Sequence, residues 1–181
     1  MSKSRYEYSD ACSKLAEESV YPSFMGAGCT VQRFMNADNY ATRDNVMALL
    51  DKDYGIDAMI TAESGRLYSI AERFRGAKYE PYQEITVRLG GKHSTGKREF
   101  DKCIARYLLY AYVDVDAKQY KTGMMPSKIT SWVLVEMQPF LDLFNAGKIS
   151  HEIKTARDGS WAFASVKISE IYKAGLIRVM S

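Results

Sequence analysis

Two acidic residues that stand fifteen positions apart are the side chains best placed to do chemistry. Asp57 lies in an apolar stretch at residues 55–61, and Glu72 lies in a second stretch at residues 65–75, followed at once by Arg73. Both stretches are typical of short β-strands, and a glycine-containing turn between them predicts a hairpin. Two carboxylates on adjacent strands, with a cation beside them, can bind a divalent metal and stabilise an anionic phosphate.

The segments that follow this hairpin predict the sheet that would position the two acids. Residues 82–89 alternate between apolar and polar types, which predicts a third strand in the same meander. A short helix is expected at residues 97–105, before an aromatic, β-rich strand at residues 106–113 that should lie at the centre of the sheet. A helix between two strands indicates a crossover connection. We therefore predict an α/β (α+β) fold in which helices flank a mixed central sheet that contains a strand meander.

The remaining segments complete a single predicted domain that covers residues 1–181. A helix is expected at residues 4–20 and should end before Pro22, because proline disfavours helical geometry in the residue that precedes it. A hairpin is expected around Asp158-Gly159, a strong turn signal. The other expected elements are strands at residues 30–34 and 130–137 and helical segments at residues 41–51, 139–145 and 168–172.

Composition limits the classes of protein to which the chain can belong. Its 181 residues are 46% apolar, enough for a sizeable core, and its net charge of +3 permits a nucleic-acid partner without requiring one. Three cysteines without a CxxC pair are typical of a reducing compartment. No signal peptide is evident, because the N-terminal residues 1–6 contain no apolar h-region, and the longest apolar run, at residues 107–113, is too short to span a membrane. We expect a soluble, cytoplasmic protein with no membrane partner.

A basic stretch runs from Arg88 to Arg106 and holds six Lys or Arg residues against two acids. One interpretation is a solvated loop, because runs of charge usually face water. The other is an edge that contacts phosphates beside the hairpin. On that second interpretation the nucleic-acid-binding residues are Arg75, Arg88, Lys92, His93, Lys97 and Arg98.

The spacing of Asp57 and Glu72 within this order of elements resembles the PD-(D/E)XK, or restriction-endonuclease-like, nuclease superfamily, over residues 55–113. The pattern at residues 158–163 also looks like the tail of some phage and bacterial members. The family's core is an N-terminal helix, a strand meander, a helix and a further strand. Its metal ligands are an Asp on one strand and a Glu on the next, which the resemblance assigns to Asp57 and Glu72, and many members add a first-helix acid, here Glu17 or Glu18.

The family's catalytic Lys, two residues after the Glu, has no counterpart because Phe74 occupies that position. Arg73 would stand in for it, although an arginine stays protonated and is a poor activator of water. In a second alignment with the family motif, Arg73 takes the position of the Lys and Ala71 that of the Glu. The motif carboxylate is then missing, and Glu84 has to serve as the metal ligand. Asp57 can also be interpreted as a turn residue, and Glu72 as an exposed cross-strand ion pair.

The resemblance implies a metal-dependent DNA endonuclease that uses Mg²⁺ or Mn²⁺, of the junction-resolving or phage type, and it permits a homodimer. The alternative is a catalytically inactive phage accessory or inhibitor protein that binds nucleic acid or a protein partner on the same scaffold. The missing Lys favours this alternative. A small-molecule enzyme is disfavoured, because the sequence has no G-x-G-x-x-G, P-loop, G-x-S-x-G or zinc-ligand spacing.

Overall fold

The structure, a computed structural model, describes residues 5–33, 54–91, 102–155 and 161–181. None of the helices in these ranges has the length and apolarity that a bilayer span requires. The helices are α1 (Arg5–Leu15), α2 (Tyr21–Met25), α3 (Met137–Asn145) and α4 (Ile168–Lys173). The strands are β1 (Thr30–Arg33), β2 (Ala58–Thr61), β3 (Leu67–Gly76), β4 (Glu84–Gly91), β5 (Tyr107–Val113), β6 (Ile129–Glu136), β7 (Glu152–Thr155), β8 (Trp161–Lys167) and β9 (Ile177–Met180).

These strands form two sheets. The central sheet has the order β1-β2-β3-β5-β6-β9 and is mixed, because β3 and β5 run parallel while its other neighbours run antiparallel. The second sheet is antiparallel, with the order β4-β8-β7. The predicted mixed central sheet with flanking helices is therefore confirmed.

The predicted hairpin is formed by β2 and β3, with Ala58 opposite Ile70. The third strand of this meander is β1, which pairs antiparallel with β2. Our prediction that residues 82–89 supply that strand is wrong: they form a strand, but it pairs with β8 in the second sheet. A 3₁₀ helix, Ala77–Tyr82, redirects the chain after β3, and Gln83 then takes a positive φ of 49° before β4 begins.

Strand β5 occupies the centre of the fold, as predicted, between β3 and β6. All seven of its residues are buried. Leu109 and Ala111 face a cluster that includes residues of α2, whereas Leu108, Tyr110 and Tyr112 face a cluster shared with the second sheet and α3. Because successive strand residues point to opposite faces, β5 carries an apolar core on both sides, which is typical of a strand covered by helices on one face and further structure on the other.

The N-terminal helix does not end at Pro22, contrary to our prediction. After α1, a π-helical segment, Ala16–Val20, leads directly into α2, whose first turn contains Pro22. Proline has no N–H to donate, and the change of hydrogen-bond spacing immediately before it lets the chain remain helical. The continuation matters for the site, because it brings Tyr21 over the central sheet, where its side chain is buried.

Three further segments complete the comparison with the sequence. The second hairpin is confirmed by the pairing of β7 with β8, although its turn, at residues 156–160, lies outside the described residues. The helix expected at residues 41–51 also lies outside them. Of the helix expected at residues 97–105, only residues 102–105 are described, and residues 103–105 are not helical.

Candidate functional site

Asp57 and Glu72 meet at the edge where β2 ends and β3 continues. The backbone N–H of Asp57 donates to the carbonyl of Ile70 at 2.9 Å, which extends the hairpin by one position. Oδ2 of Asp57 then accepts a hydrogen bond of 2.6 Å from the backbone N–H of Glu72. Both acids line one pocket of about 220 Å³ beneath α1, together with Ser13 and Arg73. The hairpin therefore brings the two predicted acids to the same place.

The carboxylate of Glu72 is buried and fully engaged. It is 6% exposed, and it accepts hydrogen bonds from Ser13 Oγ at 2.6 Å and from the hydroxyl of Tyr21. Nη1 of Arg33 donates to both of its oxygens, at 3.0 and 2.9 Å. A carboxylate offers about four acceptor positions, and these contacts account for them. Glu72 is thus not the exposed ion pair that one sequence interpretation suggested.

The cation that holds Glu72 is itself fixed in place. Nη2 of Arg33 donates to the carbonyl of Ser13, and its Nε lies 3.4 Å from Oε2 of Glu17. Its side chain is only 13% exposed. Burial is the largest single influence and lowers the pKa of the Arg33 guanidinium, but Glu72, Tyr21 and Glu17 together raise that pKa above its ordinary value. Arg33 therefore stands as a permanent cation between Glu17 and Glu72.

Burial and the neighbouring charge of Glu72 both raise the pKa of Tyr21 well above its ordinary value. The phenol of Tyr21 consequently keeps its proton and donates a hydrogen bond to the Glu72 carboxylate. Burial likewise raises the pKa of the Cys12 thiol, which lines the same pocket, to about 12. A thiol of that kind is not a nucleophile at neutral pH. The pocket therefore offers hydrogen-bond donors to Glu72 and no activated nucleophile among its described sulfur and phenol groups.

This donor set does not suit the Mg²⁺ or Mn²⁺ that the family resemblance implies. Magnesium requires several oxygen ligands in octahedral geometry, yet both Glu72 oxygens accept from Arg33 and one Asp57 oxygen accepts from an amide. Across the described ranges, no group of three or more His, Cys, Asp or Glu side chains is arranged to hold a metal ion. The guanidinium of Arg33 lies between Glu17 and Glu72 and donates to both carboxylate oxygens of Glu72. The two predicted helix acids, Glu17 and Glu18, are both exposed.

Glu84, the alternative metal ligand, lies in the second sheet. It is as deeply buried as Glu72, and its carboxylate is held by Lys167 at 2.8 Å and Lys154 at 3.0 Å. Burial alone would raise the pKa of this carboxyl, but hydrogen bonds from Lys167, Ser165 and Lys154 lower it to about 2. The structure assigns Glu84 to the stabilisation of the second sheet and does not bring it to the pocket that Asp57 and Glu72 share.

Some of the predicted phosphate-contacting residues lie in the part of the chain that the structure describes, and the others lie outside it. Arg75 has its guanidinium 4.2 Å from the ring centroid of Tyr79, and its Nη1 lies 3.4 Å from the hydroxyl of Tyr110. Arg73 lines the shared pocket and donates to the carbonyl of Glu72, and Arg88 is exposed on β4. The other four predicted residues lie outside the described residues; they are Lys92, His93, Lys97 and Arg98.

Sequence reasoning missed the three side chains that engage Glu72. Ser13 comes from α1, Tyr21 from α2 and Arg33 from the last position of β1. Arg33 does lie in a stretch that was expected to form a strand. An arginine at the end of a short strand is a candidate partner for a buried acid such as Glu72. No local pattern marks Ser13 or Tyr21, because their role depends on how the helices pack on the sheet.

Comparisons with known proteins add no relative to this picture. The chain matches no protein-family model, no curated protein and no solved structure.

Proposed function

We propose that the protein binds nucleic acid on a restriction-endonuclease-like scaffold and does not cut it. The observation that carries the proposal is the guanidinium of Arg33, which holds the Glu72 carboxylate where the family resemblance expects a metal. Metal-dependent cleavage stays a prediction, and the experiment below decides between the two.

The scaffold part of the proposal is supported by the order and direction of the elements. An N-terminal helix precedes an antiparallel meander, β1-β2-β3, and β5 then lies parallel to β3. Asp57 immediately precedes the second strand of this meander, and Glu72 lies in the third. These elements support the first helix, the meander and the further strand of the implied core; its second helix would fall at residues 97–105, of which only residues 102–105 are described.

The absence of cleavage is supported by what a metal ion would have to displace. To coordinate Glu72 it would break the contacts of Arg33, and Arg33 would then lose its partner while remaining charged, since arginine does not deprotonate in proteins. Leaving a buried charge without its partner costs about 3–5 kcal/mol. Arg73 cannot act as a general base for the same reason, so it cannot activate water in place of the family's Lys.

The nucleic-acid part is supported by the arginines around the two sheets. Arg75 is fixed against Tyr79 and Tyr110, and Arg88 is exposed on β4. Guanidinium groups contact phosphates through paired N–H donors, and the chain as a whole carries a net charge of +3.

A combined binding and cleavage assay tests this function. The full chain is incubated with labelled single-stranded, duplex and branched DNA, and with RNA, in the presence of Mg²⁺, Mn²⁺ or a chelator. We expect a salt-sensitive band shift that is the same with and without metal, and no cleavage product. Asp57→Asn should leave the band shift unchanged, as should Asp142→Asn, its matched control at an exposed position of α3.

A product that requires metal and disappears in Asp57→Asn, but not in Asp142→Asn, would establish the endonuclease instead. No binding to any of these substrates would reject a nucleic-acid function altogether.

A further inference from the structure

A second pocket, of about 400 Å³, lies against one face of the central sheet. Tyr112 of β5 lies opposite Ser131 of β6, and Val133 of β6 lies opposite Met180 of β9. Because opposite residues share a face and side chains alternate along a strand, these four side chains lie on the same face of the sheet. The volume falls within the range of about 300–1,000 Å³ that small-molecule sites occupy. We call this space the Tyr112 pocket.

The apolar part of the Tyr112 pocket combines buried and accessible side chains. Tyr112 and Val133 are only 1% and 2% exposed, so they form a fixed wall. Ile168, the first residue of α4, is half-buried, and Met180 is 56% exposed. A methionine side chain is flexible and fits apolar groups of different shapes. A small apolar body can therefore enter the pocket from solvent and pack against its wall.

The carboxylate of Glu80 lines the same pocket and has no ion-pair partner among the described residues. It is half-buried, and its Oε2 accepts a hydrogen bond of 2.8 Å from Thr130 Oγ1. No described Lys, Arg or His forms an ion pair with it. By contrast, four other acids that are buried or half-buried are each paired with a Lys or Arg; they are Glu72, Glu84, Asp116 and Glu136.

Two irregularities of the backbone lie at this pocket. The register of β5 and β6 shifts beside Tyr112, so Thr130 has no cross-strand partner there, and its hydroxyl fixes the Glu80 carboxylate. Gln83 has a positive φ of 49°, which no other described residue except glycine shows. Its Nε2 donates to the carbonyl of Glu80 at 2.9 Å. Bulges and left-handed residues other than glycine are concentrated at functional sites, which favours a ligand site here.

The polar groups that this pocket offers a ligand are acceptors. Oε1 of Glu80 has no hydrogen bond within the described ranges, and because Nε2 of Gln83 is already used, the amide oxygen of that side chain is left to accept. Lys167 reaches the carbonyl of Tyr82 beside the pocket, but it is paired with Glu84 at 2.8 Å. An ammonium group has three donors, no acceptor and a positive charge, so it complements this set.

We propose that the Tyr112 pocket binds an organic cation, a primary amine carried on a small apolar body. The ammonium group lies at Glu80 and Gln83, and the apolar body packs on Tyr112 and Met180. A free small amine and a lysine side chain of a protein partner share this chemistry. The Tyr112 pocket has no lining residue in common with the pocket beneath α1, so amine binding and nucleic-acid binding succeed or fail separately.

The experiment measures dissociation constants of the full chain by NMR chemical-shift titration with probes of similar size, namely 2-phenylethylamine, 2-phenylethanol and phenylacetate. We expect the amine to bind about 10-fold or more tightly than the alcohol, because a hydrogen bond to a charged group contributes more than one between neutral groups. Phenylacetate should bind more weakly than the alcohol, because its carboxylate repels that of Glu80.

Three variants locate the binding. Glu80→Gln keeps the shape of the side chain and removes its charge, so it should weaken amine binding by about 10-fold or more and leave binding of the alcohol within about two-fold. Glu18→Gln, the same substitution at an exposed position of the π-helical segment, is the matched control and should change neither. Ser131→Tyr fills the pocket with a side chain that suits a strand, and should abolish binding of both probes.

A capped tripeptide with a central lysine separates the two sources of the amine. Tighter binding of the tripeptide than of 2-phenylethylamine identifies a lysine of a protein partner as the occupant, and the reverse order identifies a free amine; both support the proposal. An amine that binds no more tightly than the alcohol overturns it. Amine affinity that changes equally in Glu80→Gln and Glu18→Gln also overturns it, and binding of 2-phenylethanol shows in each variant that the pocket is still formed.

Discussion

Glu72 and Glu84 are both 6% exposed, and each is held by positive charge, but the two ion pairs are built differently. Glu72 forms an ion pair with one arginine, Arg33, and accepts hydrogen bonds from Ser13 and Tyr21. Glu84 is shared by two lysines of its own sheet, Lys154 and Lys167, whose side chains are 37% and 50% exposed.

The location of the partners shows which parts of the fold each acid connects. The partners of Glu72 come from α1, α2 and β1, so its carboxylate joins the helical layer to the central sheet. The partners of the Glu84 carboxylate come from β7 and β8 of the same sheet, so this ion pair stabilises the second sheet. Glu72 is paired with the single buried arginine Arg33, whereas Glu84 is shared by two lysines, either of which can compensate for the loss of the other. The following predictions exploit that contrast.

Arg33→Ala should lower the free energy of unfolding more than any of the other single variants. It leaves the Glu72 carboxylate buried without its cation, so the free energy of unfolding should fall by about 3–5 kcal/mol. Equilibrium urea denaturation measures the change. Arg66→Ala removes an exposed arginine immediately before β3 and should change the free energy of unfolding by less than ~0.5 kcal/mol.

A double variant shows whether this loss comes from the uncompensated charge. Arg33→Met combined with Glu72→Leu replaces the buried pair by apolar side chains, and should recover most of the stability lost in Arg33→Ala. If the double variant is no more stable than Arg33→Ala, the arginine contributes through its contact with Ser13 rather than through Glu72.

Glu84 should make stability depend on pH in the acidic range. Its pKa is lowered from 4.5 to about 2 in the folded chain, so the folded state favours the ionised form. The resulting stabilisation, of order 3 kcal/mol, is fully present above the unfolded-state pKa and is lost as the pH falls towards the folded-state pKa. Urea denaturation from neutral pH down to about pH 2 measures it.

The variant Glu84→Gln isolates this contribution, because it has no proton to bind over the same range. The difference in stability between wild type and Glu84→Gln should shrink as the pH falls. A difference that stays constant between neutral and acidic pH would mean that the lysines do not hold Glu84 as an ion.

Tyr21→Phe should have an intermediate effect. It removes one hydrogen bond to the charged Glu72 but leaves those of Arg33 and Ser13, so we expect a loss of about 1.5–3 kcal/mol in the free energy of unfolding. Tyr82→Phe, at an exposed position, is the control and should change stability by less than ~0.5 kcal/mol. Equal losses in the two variants would contradict the role assigned to Tyr21.

The contrast between the two acids also shows where sequence reasoning succeeds. The β2–β3 hairpin and the central position of β5 could be predicted, because a turn signal and a run of aromatic and β-branched residues are local properties. The placement of β4 could not, because its alternating pattern suits either sheet. Pairing with β8 was decided by the 3₁₀ helix that redirects the chain after β3.

Part of the candidate site could likewise be predicted from the sequence, and part could not. The approach of Asp57 to Glu72 follows from hairpin register, which a spacing of fifteen residues already suggests. The engagement of Glu72 by Ser13, Tyr21 and Arg33 depends on three elements distant in sequence, one of them a helix that continues through Pro22. Such contacts arise from packing and leave no periodic signal in the chain.

Lys154→Ala should lower the free energy of unfolding least of these variants, in direct contrast to Arg33→Ala. Lys167 remains 2.8 Å from the Glu84 carboxylate, and both lysines are partly solvated, so the loss should be at most ~1 kcal/mol. Lys167→Ala should cost about the same. The pair of substitutions should cost at least ~1 kcal/mol more than the sum of the single losses, because only then does buried Glu84 lack a cation. A double-mutant cycle by urea denaturation measures this coupling, and strictly additive losses would show that the two lysines do not compensate for each other.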